Sequence, residues 1–104
     1  MFPVSMESFE AAVAQAIEAI PAEFQPYLED IHFLVAEDSD LRLFGLYEGA
    51  GVLAETAVPP RITLFKDTHE HLANSWQELV AQIRLTMEHE VGHHFQMEED
   101  EMPH

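Results

Sequence analysis

Leu85-Thr86-Met87-Glu88-His89-Glu90-Val91-Gly92-His93-His94-Phe95 is the stretch whose reading decides the fold. It carries an H-E-x-x-H pattern near the end of a long run with helical periodicity, and no Pro or Gly interrupts that run before Gly92. In a helix, residues four apart share a face, one turn above the other. His89 and His93 can therefore offer two imidazole nitrogens to one ion, while Glu90 sits beside them to take a proton from water. Two His, one carboxylate and a water make up the ligand set of a hydrolytic zinc site. A plainer reading competes with this one. The chain holds seven His among many acidic residues, and a composition of this kind yields the pattern by chance roughly once in fifteen chains. Both His would then be solvated helix residues. Against that stand the helical setting, the unbroken run and an acidic cluster, Glu98-Glu99-Asp100-Glu101, within reach downstream.

Working outward, the helix has a clear start. Ser75-Trp76-Gln77-Glu78 fits a capping box, in which Ser75 accepts from the Glu78 amide and Glu78 reaches back. Leu79, Ile83, Met87, Val91 and Phe95 then keep one apolar face, which reads as core. His89 and His93 lie off that stripe, on the face that also carries Gln82 and Leu85. One side anchors the helix and another offers its chemistry.

The segments before it predict helices framing short strands. Ser5 can cap a first helix, with Glu7 in its first turn and Phe9, Val13, Ile17 and Ile20 at helical spacing until Pro21. Phe24, Tyr27 and Leu28 are expected in the core, on a short or broken helical turn around Pro26. Strands are expected at residues 31–36, with Ile31, Phe33 and Val35 inward and His32 outward, at 43–48 and at 61–66 with Ile62 and Leu64 inward. Gly45, inside the second strand, marks a bulge or a close backbone approach. Residues 49–60 form a loop. His69 and His71 could serve a second metal site or donate to a transition state, but a solvated helix start or loop is the simpler reading. Three short strands framed by helices argue an α+β layer arrangement.

Composition narrows the function classes. At 104 residues the chain is expected to be one domain over its whole length, 1–104. It has no Cys, so neither disulfides nor thiolate metal ligands exist. Twenty acidic residues face four basic ones, a formal net charge of -16. Such a field repels nucleic acid and anionic membranes and attracts cations. Arg42, Arg61, Lys66 and Arg84 are scattered and form no basic patch, so no nucleic acid and no membrane partner is expected. With no long apolar run and no basic-then-apolar leader, a soluble cytoplasmic protein is the expectation.

Three segments, Leu43-Phe44-Gly45-Leu46-Tyr47-Glu48-Gly49, Pro60-Arg61-Ile62-Thr63-Leu64-Phe65 and Thr86 through Phe95, give the chain a resemblance to a family of very small bacterial zincin-like metallopeptidases. The resemblance implies a small zincin-like α+β domain, with a short, mostly antiparallel or mixed sheet of about three to four strands packed with the H-E-x-x-H helix and N-terminal helices. It implies His89 and His93 as ligands of Zn2+ and Glu90 as the general base. Glu99 falls where that family's third, acidic ligand stands. Gln96 departs from the family's H-E-x-x-H-x-x-G-x-x-D form, where a Gly turns the chain back toward the metal. If the helix ran on through Gln96, Asp100 rather than Glu99 would share the ligand face.

The leading expectation is thus a zinc metallopeptidase acting on a peptide or protein substrate, of narrow or weak activity because so short a chain builds little of a second cleft wall. Residues 61–66 are expected to be an edge strand that holds the peptide by backbone pairing. Tyr47, His69 and His71 are candidate oxyanion donors. The alternative is a non-catalytic zincin-like module that binds metal or a protein. A monomer or weak homo-oligomer is expected in either case.

Overall fold

The computed structural model describes residues 1–49 and 59–95. Helix α1 (Met6–Glu18) starts as its sequence dictates: Ser5 lies in extended backbone and its hydroxyl accepts from the Ser8 amide at 3.0 Å. Phe9, Ala12, Val13 and Ala16 form its buried face. A 3-10 helix, Ala22–Leu28, follows Pro21 and contains Pro26. Gln25 secures the junction, its amide donating to the Ile17 and Ile20 carbonyls at 2.9 Å each, which a helix end otherwise leaves unpaired. Leu28 is buried as expected, but Phe24 and Tyr27 are not core residues. They are 37% and 53% exposed, and each leans edge-on against Phe95, with ring centroids 5.4 and 5.7 Å apart.

Strands β1 (His32–Ala36), β2 (Gly45–Glu48) and β3 (Arg61–Phe65) form one mixed sheet in the order β1-β3-β2. β1 runs parallel to β3 with Phe33 beside Ile62, and β2 runs antiparallel to it with Tyr47 opposite Ile62. The 61–66 segment is therefore the central strand and not an edge. It also ends one residue early, because Lys66 opens helix α2 (Lys66–Leu72). The buried Lys66 ammonium binds Glu37 at 3.0 Å and Glu70 at 3.2 Å, tying the end of β1 to the first turn of α2. Burial alone would lower the Lys66 pKa, but the two carboxylates outweigh it and hold the pKa above its usual value.

Helix α3 (Trp76–His94) begins at Ser75, whose hydroxyl accepts from the Glu78 amide at 3.1 Å. Glu78 does reach back, but its carboxylate accepts from the Ser75 hydroxyl at 3.5 Å and not from the Ser75 backbone amide that a full capping box would use. Leu79, Ile83 and Met87 are wholly buried and Val91 nearly so. At roughly 1.5–3 kcal/mol for each such side chain, that stripe is what holds α3 to the domain. It packs on α1 and on the inward face of β2 and β3, where Ile62 and Leu64 are also wholly buried. The other face of the sheet turns Leu34 and Leu46 outward, both opposite Thr63. No described helix is long and apolar enough to cross a membrane.

Between β1 and β2 the chain makes a tight turn. The Arg42 amide donates to the Ser39 carbonyl at 3.0 Å, and the Ser39 hydroxyl accepts from Leu41 and Leu43 at 3.3 Å each. Closing this turn puts Arg42 at φ 55, in the left-handed region that side chains other than Gly resist. Arg42→Gly should therefore raise stability by about 0.5–1 kcal/mol in urea unfolding, while Arg42→Ala, which keeps the strain, should not. Equal effects of the two changes would mean that the turn stores no strain.

Candidate active site

The site is built where β2 meets the second half of α3. Gly45 makes the approach possible. A Cβ placed on Gly45 would lie 2.8 Å from Thr86 Cγ2, 3.1 Å from Glu90 Cγ and 3.3 Å from the Thr63 carbonyl. The sequence reading of a close backbone approach is met here, and its partner is the turn of α3 that carries Glu90. Glu90 is consequently buried, 8% exposed, while His89 and His93 stay half-buried on the adjoining face.

His89 and His93 come together as their spacing predicts. Their ring centroids are 4.8 Å apart and their planes are crossed at 87°. The pair thus puts two imidazoles, the donor chemistry of two zinc ligands, side by side on one helix face. Among the described residues no group of three or more potential ligands assembles. Glu99, its rival Asp100 and Gln96 all lie outside the described residues.

A cavity of about 350 Å³ opens beside His89, between Leu43, Phe44 and Gly45 on one side and Gln82, Leu85 and Glu90 on the other. Composition and periodicity put Gln82 and Leu85 on the ligand face. They did not reveal the opposite wall, which depends on the turn at Ser39.

His69 departs furthest from expectation. It is wholly buried, not solvated. Its Nδ1 lies 2.7 Å from the Phe65 carbonyl and its Nε2 2.9 Å from the Thr86 hydroxyl. A carbonyl can only accept, so Nδ1 carries the proton, Nε2 accepts, and Thr86 donates. With both nitrogens committed in the core, His69 is not placed to donate to a substrate. Burial pushes its pKa below the ordinary value, against the smaller opposing effect of the Phe65 carbonyl. His71 is exposed on α2.

Tyr47 and His94 brace the same region from the end of α3. Tyr47 Oη and His94 Nδ1 are 2.8 Å apart, and the His94 ring also bonds to the Tyr27 backbone. The backbone carbonyl takes the ring proton, so the Tyr47 hydroxyl donates to His94. Burial lowers the His94 pKa, partly offset by the Tyr27 bond and the charge of Asp30. This pairing was hidden in sequence because the two residues lie 47 positions apart.

Two outcomes follow from this geometry. Gly45→Ala should cost about 1–3 kcal/mol in chemical unfolding, since strand and helix must part or strain. A neutral stability change would show that the β2–α3 contact has slack. His69 takes a proton less readily in the folded chain than in the unfolded one. Its contribution is therefore fully present above pH 6.5, the ordinary His value, and is lost progressively as pH falls below it. At pH 6.5, where an ordinary imidazole is half protonated, the His69 ring should be mainly the neutral Nδ1–H tautomer by NMR, and a mainly protonated ring there would contradict the assignment.

A search of curated proteins found no match to the chain. The family model for zincin-like metallopeptidases matches residues 13–104, from within α1 through the whole of α3 and beyond. The mixed α+β fold, the H-E-x-x-H helix and this match agree: the chain belongs to the zincin-like metallopeptidase family.

Proposed function

We propose that the chain is a zinc-dependent peptidase in which His89, His93 and Glu99 hold the ion and Glu90 is the general base. The observation that carries this reading is the crossed His89–His93 pair with the Glu90 side chain buried where α3 meets β2. When bound, zinc supplies a Lewis acid and brings the pKa of water toward neutrality. Glu90 takes the proton of the attacking water and passes it to the leaving amine nitrogen. The side chain that does so is 8% exposed, with its Cγ beside the Gly45 backbone.

The strand that would align a peptide is β2, since β3 is paired on both sides. The Phe65 amide donates to the Phe44 carbonyl at 2.9 Å. By the alternation of an antiparallel ladder, the backbone groups of Gly45 then point away from β3 and toward an incoming chain. An extended peptide there would run past the cavity mouth and over Glu90.

The second reading, a metal-binding or protein-binding module without turnover, is favoured by Gln96 standing where the family pattern has Gly. Metal stoichiometry and cleavage of a peptide library separate the two. The wild type should bind one zinc and cleave. Glu90→Gln should keep the zinc and lose at least a hundredfold in rate, the usual share of a general base. His89→Ala should lose both. Zinc binding without cleavage that Glu90→Gln abolishes would leave the module, and no zinc binding at all would remove the metal from both readings.

A further inference from the structure

The cavity beside Glu90 has apolar walls in Leu43, Phe44 and Leu85, and α3 lines it with the polar side chains of Thr86, His89, Glu90 and, furthest upstream, Gln82. The orientation of that amide is fixed by a chain of hydrogen bonds with an unambiguous start. The Phe65 carbonyl has no proton to give, so His69 Nδ1 donates to it at 2.7 Å. Desolvated and neutral, His69 has only a lone pair left at Nε2, 2.9 Å from Thr86 Oγ1. Thr86 must spend its one hydroxyl proton there. It can then only accept from its other neighbour, and Gln82 Nε2 lies 3.4 Å away. The NH2 of Gln82 is thereby turned to Thr86, and its carbonyl oxygen, with no partner among the described residues, is the group that this lining side chain has left to offer.

We infer that Gln82 is a specificity-determining residue, whose side-chain carbonyl selects a substrate residue that carries a hydrogen-bond donor on an apolar body. A cavity of about 350 Å³ has room for one aromatic side chain. A phenylalanine seated there would bury the Gln82 oxygen without a partner, whereas a tyrosine hydroxyl would satisfy it. Sites built to bond a hydroxyl or N–H reject analogues that lack it far more strongly than apolar pockets reject a methylene. A long alkyl stem ending in an ammonium meets the same demand, and a chain with a net charge of -16 attracts it. This inference rests on the peptidase reading of the site, but the selection itself is a binding property.

The test uses the full chain carrying Glu90→Gln, so that cleavage does not consume the probe. The probes are blocked hexapeptides identical except for one residue: tyrosine, phenylalanine, lysine or norleucine. Tyrosine over phenylalanine, and lysine over norleucine, should bind about tenfold tighter by calorimetry. Adding Gln82→Met, which keeps the length and removes the acceptor, should bring both ratios close to one. Thr86→Val should do the same by freeing the amide to turn over, and Thr86→Ser should restore the preference. Equal binding of the paired peptides, no binding of any of them, or ratios unmoved by Gln82→Met or by Thr86→Val would overturn the inference. The peptide comparison needs no change at Gln82 or Thr86, so it still decides the matter if those variants do not fold. Donor selection with no cleavage by the wild type would sink the hydrolytic reading and leave this one standing.

Discussion

The contact between Gly45 and the Thr86–Glu90 turn of α3 is the constraint on which the rest of the site depends. A strand and a helix normally keep a layer of side chains between them. Here the strand presents none at that point, so the helix backbone can come close enough for a glutamate to be buried at the seam. Burying a carboxyl is expensive unless it is paired or hydrogen-bonded, which requires its surroundings to be held in place. The neighbours that fix it are themselves held: Thr86 by His69, and α3 by its stripe of Leu79, Ile83 and Met87 against the sheet and α1. The apolar face sets where the helix lies, and the missing side chain at position 45 sets how near β2 comes.

His69 does for the far side of the site what Gly45 does for the near side. Its ring spans from the carbonyl that ends β3 to the hydroxyl one turn ahead of Glu90. Phe9 and Phe44 pack against the ring, at centroid distances of 5.6 and 5.0 Å. A buried hydrogen-bonding group left without a partner costs about 1–3 kcal/mol, and in this core none is: every described buried side-chain nitrogen and oxygen is bonded. The polar chain from Phe65 to Gln82 is thus a core element that happens to surface in the cavity. Its direction is inherited from β3, not from anything at the mouth of the site.

What the sequence made legible was periodic or adjacent. The apolar stripe of α3, its Ser75 cap, the Ser5 cap of α1, the inward Ile62 and Leu64, and the facing of His89 and His93 all follow from spacing within one element. What escaped was long-range. Nothing local says that the 61–66 segment lies in the middle of the sheet, because strand order is set by which faces must be covered together and not by any one strand's residues. Nor does spacing distinguish an exposed His from one that bridges two elements, so His69 looked like His71 until the fold separated them. Phe24 and Tyr27 looked like core because they are aromatic, yet the 3-10 turn around Pro26 presents only Leu28 inward. The family pattern spoke for Glu99, but its outcome falls on residues beyond those described.

Charge ties these parts together. Of the four cations, Lys66 is buried between Glu37 and Glu70, and Arg61 is paired on the surface with Glu48 at 2.9 Å. An exposed pair of that kind adds little stability, but it removes one more free positive charge from the sheet's outer face. The remaining field is strongly negative, and a field of that sign works against the compact state through self-repulsion. The same field lowers the free energy of any cation held at His89 and His93. A divalent ion there would relieve part of the repulsion that the folded chain carries without it. An ion bound at that pair would couple to folding through charge as well as through ligand geometry, and the coupling would act at a helix whose position is already fixed by its buried stripe.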